Sequence, residues 1–267
     1  MAPLLGAFFI LSGEVLTSAQ QDALSAEELV RYQAEQAASV QVPYLILAGV
    51  LVVLALAVAF IRLPDAGKIA QDISAHQSED KGSAWAYRHL VLGTVGIFCY
   101  VGAEVAIGSL LVSVMGLPDV AGMKDAHAAK YLSYYWGGAM VGRFLGSFLL
   151  NIFNPGKYLG FNAAVNVLLI ATAMTQGGHV AMYSLLAIGF FNSIMFPTIF
   201  SLATRGLGKY TSAASGILST AIVGGAAVPL IQGFVADHTT LLSSFWVPAV
   251  CYVYILYFGL VGHKADD

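Results

Sequence analysis

Long apolar runs separated by short polar breaks dominate the chain. Seven segments, 42–61, 90–117, 131–153, 158–176, 179–203, 211–235 and 244–262, reach or approach the ~20 apolar residues that a helix needs to cross a hydrocarbon core. They predict an all-α polytopic membrane protein. The opening stretch "MAPLLGAFFILSG" offers only about a dozen apolar residues before Glu14, too few for a full crossing. It lacks the basic start and small-residue cleavage site of a signal peptide and reads as the back half of a span. Residues 62–88, rich in charge, Ser and Gln, form the one long polar linker. It separates a partial unit, 1–61, from six consecutive spans in 89–267.

Composition agrees with the pattern. Hydrophobic residues make up 58% of the chain, charged residues 10%, and the mean hydropathy is +0.77. Soluble domains carry about 25% charged residues, so a lipid bilayer is the expected surrounding. A net charge of −3 without any run of Lys or Arg gives no basic patch to suggest a nucleic-acid partner. Cys99 and Cys251 both sit in apolar runs and read as small core hydrophobes. The six histidines (76, 89, 127, 179, 238 and 263) have no partners at ligand spacing, which argues against a metal site or any metal cofactor.

Basic residues set the expected orientation. With 62–88 in the cytoplasm and alternating spans, Arg62, Lys68, Lys81, Arg88, Lys157, Arg205, Lys209 and Lys264 fall inside. Arg31, Lys124 and Lys130 fall outside, an eight-to-three bias with Arg143 left within a span. That satisfies the positive-inside rule and places the C-terminus in the cytoplasm. The segment 17–40, with Asp22, Glu27, Glu28 and Glu35, is expected to be an outer loop.

Some polar groups lie deep in the spans. Glu104, in "FCYVGAEVAIGSLLV", is sixteen positions after Arg88 and fifteen before Asp119. In a helix those charges would lie roughly 22–24 Å away. An acid at that depth costs ~2.5–3.5 kcal/mol on insertion scales and usually marks an ion or substrate pathway, although helix–helix glue is the plainer reading. Tyr100 stands one turn earlier on the same face, within reach of a hydrogen bond. Arg143, in "YYWGGAMVGRFLGSFLL", has a depth resembling that of Glu104 on the preceding span. It either snorkels to the surface or pairs with Glu104.

Gly138, Gly142 and Gly146 form a small-xxx-small ladder suited to close packing, and "IVGGAAVP" (222–229) looks similar. Pro197 and Pro229 interrupt backbone bonding within spans, which is tolerated beside a cavity. Trp136, Asn192 and Gln232 add an aromatic platform and two amides to the inventory. Asn162 and Asn166, spaced i, i+4, are expected to pair with each other. No GxSxG, HExxH or Walker loop is present, so no enzyme chemistry is indicated.

"FCYVGAEVAIGS", "GRFLGS", "NSIMFPTIFSLATRGLG" and "IVGGAAVPLIQGFVAD" resemble the major facilitator superfamily sugar permeases. The resemblance is to the branch of the L-fucose/proton symporter and glucose/galactose transporter, and it covers nearly the whole chain. It implies the end of helix 5, an outer loop and helix 6 in 1–61. A central cytoplasmic loop would follow in 62–88, and helices 7–12, the C-terminal six-helix half, in 89–267. Glu104 and Tyr100 would then lie on helix 7, Trp136 and Arg143 on 8, Asn192 on 10 and Gln232 on 11, lining the central cavity. Asn162 and Asn166 would fall on peripheral helix 9.

The resemblance further implies cation-coupled hexose transport by alternating access across a bacterial inner membrane. A monosaccharide would be the substrate and a proton or sodium the coupling ion. The family's proton coupling is assigned to acids of its N-terminal half, and in this chain it is the depth of Glu104 that makes it the candidate coupling residue. "YVGAEVAIGS" matches the glucose/galactose branch, whereas the fucose symporter is expected to carry an amide at that glutamate. Helices 1–4 and half of 5 are absent from this sequence. The competing readings are therefore a non-transporting membrane fragment, or a half-transporter that pairs with itself or with a separate N-terminal half.

Overall fold

The computed structural model describes residues 24–60 and 82–264. The half-span at 1–13, the first part of the segment 17–40 and most of the linker 62–88 lie outside the described residues. The chain divides into two compact units, residues 1–66 and 67–267.

The first unit contains α1 (Ala26–Phe60, 35 residues). Residues 26–41 are therefore helical, where the hydrophobic pattern had suggested loop. The reason lies in "SAEE". The Ser25 hydroxyl accepts from the Glu28 amide at 3.4 Å, while the Glu28 carboxylate accepts from the Ser25 amide at 3.0 Å and from its hydroxyl at 2.7 Å. This reciprocal capping box starts a helix well before its apolar part begins. The Ser25 side-chain and backbone bonds hold the Glu28 carboxyl below the usual carboxylate range. Further along, large apolar residues from Val42 to Leu56 are exposed.

The second unit is a bundle of six spans. In chain order it contains α2 (Arg88–Gly116), α3 (Asp125–Leu149), α4 (Pro155–Gln176), α5 (Gly178–Asn192) and α6 (Met195–Thr204). It ends with α7 (Thr211–Thr220), α8 (Gly224–His238) and α9 (Trp246–Tyr257). The fourth span is α5 with α6, 27 residues in all, and the fifth is α7 with α8, joined by a 3-10 turn over Ala221–Val223. The sixth is α9, closed by a π-turn over Phe258–Gly262. Five of these spans are long and apolar enough to cross a membrane. The other, α3, matches them at 25 residues but carries Lys130, Ser133 and Arg143, which lower its apolarity.

Local sequence explains several boundaries. Asn154 caps α4 by accepting from the Gly156 and Lys157 amides at 3.0 and 3.2 Å, with Pro155 as the first helical residue. Both are favoured choices, because the cap satisfies orphan amides and proline has none to lose. Gly177 and Gly178, with φ of +62° and +57°, turn the chain from α4 into α5 through backbone space open to glycine.

Small residues then decide which helices meet. α2 runs through the centre, against α8, α9 and α6, while α3 packs chiefly on α5. A side chain at Gly142 would collide with the Phe190 carbonyl and the Ser193 hydroxyl of α5 and its C-cap, and one at Gly146 would crowd Ile194 at 3.1 Å. The ladder of α3 is thus a packing surface. Likewise Gly224 lies against the Phe98 carbonyl, and Gly102 against Val228. Such close approaches drive association where lipid removes the hydrophobic gradient between helices.

Candidate functional site

The site is built around an interruption in the fourth span. Asn192 ends α5, Ser193 and Ile194 form the break, and α6 resumes at Met195. Pro197 explains the break. It has no N–H to offer the Ser193 carbonyl four residues earlier, and its ring crowds that carbonyl out of line. The freed oxygen is taken by another helix: Arg143 Nε of α3 donates to it at 3.2 Å. Beyond the break, Ile194 O accepts both the amide and the hydroxyl of Thr198, at 3.2 and 2.7 Å, and the helix restarts.

Glu104 faces this break from α2. The Tyr100 hydroxyl, one turn earlier, donates to Glu104 Oε1 at 2.8 Å and lies 3.2 Å from the Asn192 carbonyl oxygen. Tyr100 is almost completely buried, and Glu104 is half-buried. The Arg143 charge acts on Glu104 across the gap between α2 and α3, but the two form no salt bridge. Their hydrogen bonds lie elsewhere, Arg143 donating to Ser193 O and Glu104 accepting from the Tyr100 hydroxyl. The expected pairing of neighbouring spans fails here because the glycine ladder seats α3 on α5.

Behind the break the Asn192 side chain is fully buried, and both of its polar atoms are bonded. Its Nδ2 donates to the Tyr135 hydroxyl at 3.1 Å. Its Oδ1 accepts from the Tyr252 hydroxyl at 2.7 Å and from Asn166 Nδ2 at 2.8 Å. Four helices, α3, α4, α5 and α9, are tied together at this one amide. A buried polar group without a partner costs about 1–3 kcal/mol, so these bonds favour one arrangement of the four helices, while Asn166 Oδ1 is left without a partner. Asn166 therefore bonds Asn192 rather than Asn162, which corrects the expected i, i+4 pair. The side-chain period placed both asparagines on one face, and the packing of α4 against α5 chose the partner.

Trp136 and Arg143 line an open groove of about 360 Å³ along α3, with Ala139, Met140, Phe144 and Ser147. The Trp136 indole leans over α2. A side chain at Gly108, one turn beyond Glu104, would meet its ring at 3.8 Å. The same indole stands edge-on to Tyr135, with ring centres 5.3 Å apart. An apolar platform and a cation thus share a groove on α3, and the acid lies on the neighbouring α2. Gln232 of α8 stands apart from this group. It is buried, donates to Ser244 Oγ at 3.3 Å, and leaves its own carbonyl oxygen without a partner. Among the described residues, no cluster of His, Cys, Asp and Glu could hold a metal.

Tyr135 and Tyr252 are neighbours of the break that the sequence pattern did not single out, whereas Asn166 was singled out but with Asn162 as its partner. Tyr135 adjoins Trp136 in "YYW", and its place on the ladder face of α3 was a usable signal. Tyr252, in "AVCYVYILY", carried none.

No family model matches the chain. It is 49% identical over 267 residues to the glucose/galactose transporter of Brucella abortus (strain 9-941), covering 99% of this chain and 60% of that protein. It is 32% identical over 246 residues to the L-fucose-proton symporter of Escherichia coli (strain K12), covering 89% and 55%. A crystal structure of the major facilitator superfamily transporter FucP in the outward conformation superposes with a TM-score of 0.76 at 31% identity. That match covers 97% of this chain and 63% of FucP. The chain spans about three fifths of the length of these relatives. Over that length it is similar in sequence and fold to the glucose/galactose transporters and L-fucose–proton symporters, and to the major facilitator superfamily fold of FucP.

Proposed function

We propose that the chain forms one wall of a hexose transporter that works by alternating access, with Glu104 binding the coupling cation. The observation that carries this reading is the Glu104–Tyr100 pair at 2.8 Å on α2, with the Trp136–Arg143 groove on the neighbouring α3. An intramembrane acid with a hydroxyl partner can take up and release a proton. The adjacent indole and guanidinium suit a sugar's apolar face and hydroxyl edge. Glucose or galactose is favoured over fucose, because identity is 49% to the Brucella protein and 32% to the E. coli symporter. The eight-to-three basic bias supports an orientation with 62–88 and the C-terminus in the cytoplasm.

Alternating access moves two structural repeats against each other around a site between them. The 267-residue chain alone therefore supplies part of the sugar's partners and does not transport. Co-reconstituted with the first five helices of its Brucella relative, it takes up labelled glucose or galactose against a gradient. Glu104→Gln then abolishes concentrative uptake while leaving the protein in the membrane. Uptake against a gradient with unchanged pH or sodium dependence in that variant rules out the coupling role. Saturable, stereospecific exchange by the chain alone would instead favour a self-paired half-transporter.

A further inference from the structure

Tyr100 has one hydroxyl proton and two acceptors. Glu104 Oε1 lies at 2.8 Å and the Asn192 carbonyl oxygen at 3.2 Å. A phenol donates one strong hydrogen bond at a time. The proton state of Glu104 decides which acceptor receives it. An ionised carboxylate only accepts, and its charge makes it the stronger acceptor. A protonated carboxyl can itself donate to the phenol oxygen, which leaves the phenol proton for Asn192.

The second acceptor is not an ordinary helical carbonyl. Asn192 is the last residue of α5, and a helix end leaves its carbonyls short of intrahelical amides. Its side chain is already anchored by Tyr135, Tyr252 and Asn166. The next carbonyl, that of Ser193, is held by Arg143. The main-chain oxygen of Asn192 is thus the adjustable contact between α2 and a break that is fixed on its other sides.

From these contacts we infer that Tyr100 is a positioning residue, a two-way hydroxyl switch that reports the protonation of Glu104 to the break in the fourth span. When Glu104 is ionised, Tyr100 is committed to the carboxylate and the break is untied from α2. When Glu104 takes up a proton, it donates to Tyr100, and Tyr100 donates to Asn192 O. One proton enters, at Glu104, and Tyr100 remains protonated throughout. Tyr135 and Tyr252 position the switch from behind by holding the Asn192 amide. This inference rests on the proposed coupling role of Glu104 and names the element that role would move.

The groups facing the switch come from several elements. α3 brings Arg143 and Tyr135, and α9 brings Tyr252. α6 brings the Phe196 ring, centred 6.1 Å from that of Tyr100. α8 meets this stretch of α2 through Gly224, Gly225 and Val228. Cys99, beside Tyr100, faces Cys251 of α9. Arg143 is the sole full charge near Glu104 in that set.

The test uses the whole chain in lipid nanodiscs, titrated from about pH 4 to 9 to span carboxyls in water and in protein interiors. Two readouts are taken together. The carboxyl infrared band that Glu104→Gln removes reports the protonation of Glu104. Amide hydrogen exchange over 190–198, corrected for its intrinsic pH dependence, reports the break. Protection of the break is expected to rise about fivefold as Glu104 takes up its proton, the worth of one hydrogen bond. Tyr100→Phe should remove that response and leave the infrared titration in place. Glu104→Gln should hold the protection constant with pH, and it carries the test alone if the Tyr100 variant fails to fold. A response that survives in either variant overturns the switch. Flat protection across a clear Glu104 titration overturns the switch and leaves the coupling role standing. A carboxyl band that never titrates overturns both.

Discussion

The two broken spans of the bundle are secured in opposite ways. The break between α5 and α6 is held by side chains from other helices: Arg143 on Ser193 O, Tyr100 beside Asn192 O, and Tyr135, Tyr252 and Asn166 on the Asn192 amide. The break over Ala221–Val223, between α7 and α8, has no such ties. Among the described residues, hydroxyls there bond within their own helix, as Thr220 does to Ile217 O at 2.7 Å. What holds it is the backbone approach of Gly224 to Phe98 O and of Gly102 to Val228. One break is fastened by chemistry and the other by shape. A hydrogen-bonded break can respond to a proton, whereas a glycine contact responds only to steric change.

This contrast can be tested by attacking each break in its own terms. The largest effect is expected at the hub. Asn192→Leu leaves the Tyr135 and Tyr252 hydroxyls and the Asn166 amide without a partner, at about 2–4 kcal/mol. Thermal unfolding of the purified chain in detergent measures it, and a loss under about 1 kcal/mol would show that the network is not holding the bundle. Next comes Gly224→Ala, whose new methyl would strike the Phe98 backbone. Forcing α2 and α8 apart costs about 1–3 kcal/mol. The sharpening control is Gly233→Ala, which meets nothing within 4 Å and should be neutral by the same assay.

A smaller effect follows at the edge of the first break. Arg143→Ala leaves the Ser193 carbonyl unpaired and should cost about 1 kcal/mol. Hydrogen exchange should rise over 190–198 and stay unchanged over 217–226, and equal increases in both would dissolve the distinction.

The smallest effect belongs to α1, far in sequence from either break. Glu28 titrates below the usual carboxylate range because the folded cap binds its ionised form. The cap's contribution is therefore complete above the unfolded-state value and is lost as pH falls through the lower folded-state value. Fraying of residues 25–30 by hydrogen exchange should increase on acidification through that window. Glu28→Ala should fray at all pH values.

Much of this architecture can be read without coordinates. The spans ending near 116, 149, 176 and 204 follow from apolar length alone, because a helix must satisfy its own backbone in lipid. Glu104 stood out for the same reason, as a carboxylate in the middle of such a run. The partner of Tyr100 was legible too, since i and i+4 share a helical face whatever the tertiary context. "SAEE" was equally local and was overlooked in favour of hydropathy.

Other features depended on the third dimension. Arg143 and Glu104 have similar depth in sequence, but depth does not say which helices touch. The glycine ladder seats α3 on α5, so Arg143 finds the carbonyl that Pro197 freed instead of the acid. Asn166 and Asn162 share a face, yet the packing of α4 on α5 gave Asn166 a distant partner. Tyr135, Asn166, Asn192 and Tyr252 span 118 positions of chain, and no periodicity links residues on four helices. Local rules of length, capping and i, i+4 spacing determined where the helices are and which residues lie deep within them. Which polar groups meet was decided by helix packing, because side-chain hydrogen bonds reach only about 3 Å and so form only where small residues let backbones close in.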